Sequence, residues 1–131
     1  MKQAALPFGR KVWRRRPRYV ETAVEADVLR ACLDYLRRVG VPHWRANTAA
    51  GKLKRPDGSE RFMRFGIKGQ SDILGVLPGC GRLLAVECKA PGEQLRPEQA
   101  EFLAMIEHAG GVAIVAHSVG ELARALTEAR R

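Results

Sequence analysis

The chain has 131 residues, a hydrophobic fraction of 46% and a formal net charge of +9, with a pI near 10.2. This length favours one domain with a modest core, and the hydrophobic fraction is ordinary for a globular protein. The positive charge favours a polyanionic partner, and nucleic acid is the commonest one in cells, whereas no lipidation motif or basic amphipathic helix supports a membrane surface.

The positive charge is concentrated in two segments of the chain. Residues 1–20 carry seven Lys or Arg side chains and no acid, which predicts a basic arm preceding a domain at 21–131. Residues 45–68 form the second basic segment. The candidate nucleic-acid contacts are basic or amide side chains of these segments: Arg14, Arg15, Arg16, Arg45, Asn47, Lys52, Lys54, Arg61, Arg64 and Lys68.

The three cysteines and the absence of targeting signals favour a cytoplasmic protein. Cys32, Cys80 and Cys88 show no metal-binding spacing, and Cys32 and Cys88 fall on apolar elements, which is typical of buried free thiols. No apolar stretch is long enough to cross a bilayer, and no apolar segment follows the basic start. We therefore expect a cytoplasmic protein.

The first predicted element is a helix over residues 21–39. Glu25, Leu29, Cys32 and Leu36 recur at helical spacing along one stripe, and Gly40 is a suitable residue to follow the helix end. Glu25 therefore lies at the upstream end of the face that packs inward.

Two strands are predicted next, at residues 43–49 and 61–67. They flank Pro56-Asp57-Gly58, which is a strong turn signal. The second strand and its end contain Arg61, Arg64 and Lys68 together with Phe62 and Phe65, so this hairpin presents a mixed basic and aromatic surface.

A second hairpin is predicted from two apolar runs, 73–77 and 83–86, on either side of a Gly-rich break. Glu87 and Lys89 lie two residues apart and share one face of their strand. Strand pairing brings Asp72 beside them. Since the run before Glu87 is apolar on both faces, this strand is predicted to be buried, and a buried Glu and Lys require partners.

A helix, a strand and a second helix are predicted for the last part of the chain. Pro97 suits a first helical position, residues 112–116 form a short apolar strand, and Ser118 with Glu121 forms a capping box for a helix ending near residue 129. The predicted order is αββββαβα, an α/β fold with a mixed central sheet flanked by helices.

Two carboxylates beside an ammonium group suit one kind of chemistry. Carboxylate oxygens bind hard divalent cations, and a neighbouring lysine suits the water or phosphate that the cation handles. This arrangement indicates a metal-dependent phosphodiesterase.

The ordered motifs resemble the VRR-NUC nucleases, which belong to the restriction-endonuclease-like PD-(D/E)xK superfamily. The resemblance covers residues 25–126. Its motifs are Glu25, Trp44-Arg45-Ala46-Asn47, Arg64-Phe65-Gly66-Ile67-Lys68-Gly69, Ser71-Asp72-Ile73-Leu74-Gly75, Val86-Glu87-Cys88-Lys89 and Pro97-Glu98-Gln99. Ser71 departs from the pattern, because proline usually precedes the aspartate.

The resemblance implies a role for each matched residue. Asp72 and Glu87 would bind Mg²⁺ or Mn²⁺ with the backbone carbonyl of Cys88, and Lys89 would be the catalytic lysine. Glu25 would reach the metal directly or through water, and Gln99 would be a polar partner near the lysine. Compact members of the family act as dimers on branched DNA, so the resemblance implies a homodimeric endonuclease that resolves four-way (Holliday) junctions in DNA repair. It also implies a bacterial or phage-encoded protein that acts on DNA in the cytoplasm.

Alternatives remain for several of these residues and for the function. Glu21 shares the helix face with Glu25, Gln99 is compatible with a surface position, and Arg45 and Asn47 suit either phosphate contacts or structural hydrogen bonds. The histidines lack metal-ligand spacing and are read as surface or packing residues. A catalytically silent DNA-binding module, a flap or single-strand nuclease and a restriction-type nuclease are the competing functions.

Overall fold

The structure, a computed structural model, describes residues 23–46 and 49–130. The described residues form three helices and six strands in the order αβββββαβα. In chain order these are α1 (Ala23–Arg38), β1 (His43–Arg45), β2 (Ala49–Lys54), β3 (Glu60–Phe65), β4 (Ile73–Val76), β5 (Leu83–Cys88), α2 (Pro97–His108), β6 (Val112–Ala116) and α3 (Val119–Ala129).

Four strands form a mixed central sheet in the order β1-β4-β5-β6. The β1–β4 and β4–β5 pairs are antiparallel, and β5–β6 is parallel. Because parallel neighbours require a crossover, α2 connects β5 to β6 across one face of the sheet. The predicted α/β class and the mixed sheet with flanking helices are thus confirmed.

Helices cover both faces of this sheet. The larger core joins the buried sides of α1 and α3 to the sheet through Leu29, Leu36, Val86 and Leu122, among others. The smaller core packs Phe102, Leu103 and Ile106 of α2 against Ala85. Strand β5 is therefore buried on both faces, as its unbroken apolar run predicts.

Helix α1 follows the predicted apolar stripe. Glu25, Leu29, Cys32 and Leu36 are all buried, and Gly40 follows the helix with a φ of 75°. Residues 21 and 22, where the prediction begins the helix, lie outside the described residues. The stripe carries Glu25 inward together with the apolar residues, so a carboxylate enters the core from this helix.

The predicted order αββββαβα is wrong at the strand assigned to residues 43–49. Strand β1 ends at Arg45 and pairs with β4, whereas a separate strand, β2, begins at Ala49 and pairs with β3. The sequence of β2, AAGKLK, has little intrinsic strand preference, so only pairing with β3 reveals it. The Pro-Asp-Gly turn between β2 and β3 is confirmed, with Gly58 at a φ of 85°.

The other element predictions agree with the structure to within a few residues. Pro97 begins α2, and β6 has the predicted bounds. Among the described residues, no helix is long and apolar enough to span a membrane.

Candidate active site

Asp72 and Glu87 meet at one end of the β4–β5 hairpin. The register pairs Ile73 with Val86, so the next positions outward bring Asp72 opposite Glu87. The backbone N–H of Cys88 donates to Asp72 Oδ2 at 2.8 Å, which fixes the aspartate against the end of β5. The predicted convergence of the two carboxylates is confirmed.

Lys89 lies between two buried carboxylates. Its Nζ is 3.8 Å from Glu87 Oε1 and 3.9 Å from Glu25 Oε1. All three side chains are at least 96% buried. Helix α1 thus contributes Glu25 to the site, while Glu21 lies outside the described residues. Both distances are long for direct hydrogen bonds, so the ammonium group balances the two carboxylates mainly through its charge.

Gln99 connects the start of α2 to Glu87. Its Oε1 accepts the backbone N–H of Arg96 at 2.9 Å, and its Nε2 donates to Glu87 Oε1 at 2.6 Å. The side chain is buried, so the surface interpretation of this residue is wrong. Gln99 orients the carboxylate and simultaneously satisfies a free N–H group at the N-terminus of α2.

The buried polar residues of the described chain all belong to this region: Glu25, Ser71, Glu87, Lys89 and Gln99. Ser71 Oγ and Glu87 Oε2 are buried and have no hydrogen-bond partner among the described residues. A buried polar atom without a partner costs on the order of 1–3 kcal/mol. Such a cost is more typical of a functional site than of a supporting core.

Burial and mutual repulsion perturb the carboxylates. Burial, followed by the charge of Asp72, raises the pKa of Glu87 to about 8, against an opposing effect of Lys89. Burial likewise raises the pKa of Glu25, which Lys89 lowers in part. The site thus holds three carboxyl groups and one lysine, and the raised pKa values indicate that a bound cation would stabilise the ionised forms of Glu25 and Glu87.

The residues present fit a hard divalent cation held by two carboxylates and one backbone oxygen. Among the described residues, no three His, Cys, Asp or Glu side chains are arranged as a metal site, so Glu25 is not preset as a third ligand. The N–H of Cys88 points to Asp72. In a β-strand, the N–H and C=O groups of any one residue point towards the same neighbouring strand. The carbonyl of Cys88 therefore faces Asp72 too, and all of these donors are the oxygen ligands that Mg²⁺ and Mn²⁺ prefer.

Two free thiols lie directly behind the site. Cys32 of α1 and Cys88 of β5 are buried, as predicted, whereas Cys80 is exposed. A hydrogen bond between the Cys32 and Cys88 side chains, together with burial, raises the pKa of Cys88. Cys88 therefore remains a neutral thiol whose side chain packs inward while its backbone faces the carboxylates.

The described nucleic-acid candidates of the β2–β3 hairpin lie on both of its faces. Lys52 and Lys54 are exposed on one face of the β2–β3 hairpin, whereas the pairing of Arg61 with Leu53 places Arg61 on the other face. Arg45 and Lys68 are also exposed. The remaining candidates, Arg14, Arg15, Arg16 and Asn47, lie outside the described residues, as does the side chain of Arg64.

Two charged residues near the site were missed by the sequence prediction. Glu93 raises the pKa of Glu25, and Arg96 lowers the pKa values of both Glu25 and Glu87, although their effects are smaller than that of burial. Both belong to the connection between β5 and α2. This connection runs only from Lys89 to Pro97. Its shortness could have indicated that Glu93 and Arg96 lie near the site, because a short connection keeps its charged residues close to the lysine.

Comparison with known proteins agrees with this geometry. The family model of the VRR-NUC domain matches residues 24–120, which span the first helix, the carboxylate hairpin, the lysine and Gln99. A comparison with proteins of established function finds no match. The matched region covers most of the chain and contains every described residue of the buried polar cluster, and the chain therefore belongs to the VRR-NUC family of nuclease domains.

Proposed function

We propose that this protein is a Mg²⁺- or Mn²⁺-dependent endodeoxyribonuclease with a PD-(D/E)xK-type core. The observation that carries the proposal is the cluster at the end of the β4–β5 hairpin, where the buried Glu87 and Lys89 lie beside the half-buried Asp72. Burying the carboxylates of Glu25 and Glu87 with a lysine is expensive unless the groups are used together. A DNA-binding module that does not cleave gains nothing from this cost.

In this proposal the carboxylates of Asp72 and Glu87 and the carbonyl of Cys88 would hold the cation, with Glu25 binding it directly or through water. The bound cation would supply an activated water and would neutralise charge on the phosphate. Lys89, whose Nζ lies 3.8 Å from Glu87, would orient that water and offset negative charge developing at phosphorus. Gln99 would hold Glu87 in a fixed rotamer through its 2.6 Å hydrogen bond.

DNA would bind through phosphate contacts from the basic segments. Arg45 lies beside the site, because it pairs with Ile73, the neighbour of Asp72, while Ala46 donates its N–H to the Asp72 carbonyl at 2.8 Å. Lys52, Lys54, Arg61 and Lys68 add exposed positive charge on and after the β2–β3 hairpin. Such contacts weaken as salt rises, because binding releases counterions from DNA.

Branched DNA is the proposed substrate, and a homodimer the proposed assembly. Paired cuts across a four-way junction require two related active sites, and one chain supplies one. Exposed aromatic side chains support a second copy as partner, since Trp44 and Phe62 are 50% and 64% exposed in the isolated chain. Light scattering at micromolar concentration tests this, and a monomer with and without junction DNA would favour a flap or single-strand nuclease.

Cleavage of a matched panel of substrates tests the function. We expect Mn²⁺-dependent cutting of a four-way junction in preference to a flap, a nicked duplex and a linear duplex of the same sequence. Asp72→Asn is the matched control, because it keeps the shape of the side chain and removes its charge. We expect this variant to bind junction DNA and not to cut it.

The panel also separates the competing functions. Cutting confined to flaps or single strands, or sequence-specific cutting of linear duplex, would replace the junction assignment with one of those nuclease classes. Tight binding of DNA without cutting by the parent protein, in either metal, would contradict the nuclease proposal and leave a silent binding module.

A further inference from the structure

His117 makes three hydrogen bonds immediately beside the catalytic strand. It follows Ala116, whose carbonyl accepts the backbone N–H of Lys89 at 3.0 Å. Its ring Nδ1 is 3.0 Å from Glu121 Oε2, and its Nε2 is 3.0 Å from the backbone carbonyl of Glu93. Its own N–H also donates to Glu121 Oε2, at 2.8 Å. His117 is therefore a partly exposed residue, as expected, whose ring is also held by specific hydrogen bonds.

Both ring contacts of His117 require a donated proton. A backbone carbonyl can only accept, so Nε2 carries a hydrogen. The Glu121 carboxylate is also an acceptor when it is ionised, and its pKa is lowered by the hydrogen bonds from His117. Nδ1 therefore carries a hydrogen too, and the complete arrangement exists only for the doubly protonated imidazolium.

Glu121 also departs from the predicted capping box. Ser118 Oγ accepts the N–H of Glu121 at 3.2 Å, as predicted for the start of α3. The glutamate does not return this bond to Ser118, because its Oε2 binds the N–H and the ring of His117. The first turn of α3 thus anchors the histidine, and through it the segment that carries Glu93.

The anchored segment joins two parts of the active site. Residues 90–96 begin directly after Lys89 and end at Arg96, whose N–H is bound by Gln99, the residue that donates to Glu87. Within the segment, the N–H of Glu93 donates to the carbonyl of Ala90 at 3.0 Å, which folds it into a turn. A hydrogen bond to the Glu93 carbonyl therefore fixes the middle of the connection between the lysine and Gln99.

We propose that His117 is a positioning residue of the nuclease centre, holding residues 90–96 through its bond to the Glu93 carbonyl. This inference rests on the proposed nuclease function. The charged groups that face the ring are Glu121 on α3, Glu93 on the segment and Lys89 on β5, with Arg124 acting on Glu121. The hydrogen bonds to Glu93 and Glu121 raise the pKa of His117, while burial and Lys89 oppose that rise.

Two substitutions separate the two ring contacts. The amide of His117→Asn reaches the position of Nδ1 and keeps the bond to Glu121, but it cannot reach the Glu93 carbonyl. The amide of His117→Gln reaches the position of Nε2, so it keeps the bond to Glu93 and does not titrate. His108→Asn, at the exposed end of α2, is the matched control.

The first measurement is cleavage of junction DNA in Mn²⁺ by these variants. For His117→Asn we expect a fall in kcat of about 10-fold, typical of losing a residue that orients a metal site from behind, with KM for DNA nearly unchanged. For His117→Gln we expect kcat close to that of the parent. The ratio of the two kcat values, His117→Gln over parent, should stay constant with pH, because a neutral parent ring with its hydrogen on Nε2 still donates to the Glu93 carbonyl.

The second measurement is amide hydrogen exchange of residues 90–96, which needs no catalysis. We expect faster exchange in His117→Asn than in the parent at the same pH, and no change in His117→Gln or His108→Asn. Unchanged exchange and kcat in His117→Asn would overturn the proposal. So would equal decreases in kcat in His117→Asn and His117→Gln that parallel a loss of thermal stability. If the parent does not cut DNA, the proposed function fails while the exchange data still decide the positioning role.

Discussion

Replacing Glu87 with glutamine tests how much ionisation of this buried carboxyl group destabilises the folded protein in the absence of metal. The glutamine keeps the shape of the side chain and an oxygen that accepts the hydrogen bond from Gln99, but it cannot ionise. In the parent, burial and Asp72 raise the pKa of Glu87 from 4.5 to about 8. The folded protein therefore binds a proton that the unfolded chain releases above pH 4.5, and folding stability falls as pH rises through this window.

The size of the effect follows from the two pKa values. One pKa unit corresponds to about 1.4 kcal/mol, so ionising Glu87 costs roughly 5 kcal/mol once the pH exceeds its folded-state pKa of about 8. At pH 7 the loss is about 3 kcal/mol, because the unfolded chain is already ionised while the folded protein remains mostly protonated. In a domain of this size that corresponds to a shift in Tm of roughly 10 °C.

Thermal and urea unfolding in EDTA between pH 4.5 and 8 measure this effect. We expect the Glu87→Gln variant and the parent to differ little at pH 4.5, and the variant to become progressively more stable than the parent towards pH 8. Glu101→Gln, an exposed position on α2, is the control and should follow the parent. If the difference in stability between variant and parent does not change with pH, then Glu87 does not have a raised pKa.

Three further predictions concern the lysine, the basic arm and a glycine. Lys89→Ala should lose cleavage and keep Mn²⁺ binding by calorimetry, and loss of the binding signal would mean that the lysine organises the metal site instead. Deleting residues 1–20 should weaken DNA binding and flatten its log–log salt slope by about 0.9 for each lost phosphate contact, whereas an unchanged slope would exclude the arm from the DNA. Gly69→Ala should destabilise the fold, because Gly69 has a φ of 78° and an added Cβ would overlap the carbonyl of Glu98, while Gly79→Ala, with open space around it, isolates the cost of positive φ. Equal losses of Tm in the two glycine variants would show that the contact with Glu98 is unimportant.

Metal binding should also depend on pH, with the sign set by Glu87. A cation needs the ionised carboxylate, so it must displace the proton that Glu87 retains up to a pH of about 8. The rise in Tm caused by Mn²⁺ should therefore grow from pH 6 to pH 8 in the parent. Thermal scans with and without metal measure it, and a rise in Tm independent of pH would contradict Glu87 as a ligand.

The sequence by itself determined the elements whose patterns are local. The helical stripe of α1 predicted that Glu25 faces inward, and the unbroken apolar run of β5 predicted a buried strand ending in Glu87 and Lys89. Asp72 could be placed opposite Glu87 because a hairpin fixes its own register through its turn. These residues supply most of the proposed chemistry, so the type of site could be predicted from the sequence without knowledge of any tertiary contact.

Only the tertiary structure decided the contacts between residues far apart in the chain. The division of residues 43–54 into β1 and β2 depends on different partners, β4 and β3, and AAGKLK carries no strand pattern of its own. The bond from Gln99 to Glu87 and the anchoring of Glu93 by His117 join residues 12 and 24 positions apart. No periodicity records such contacts, because they exist only once α2 and α3 pack around the buried strand β5.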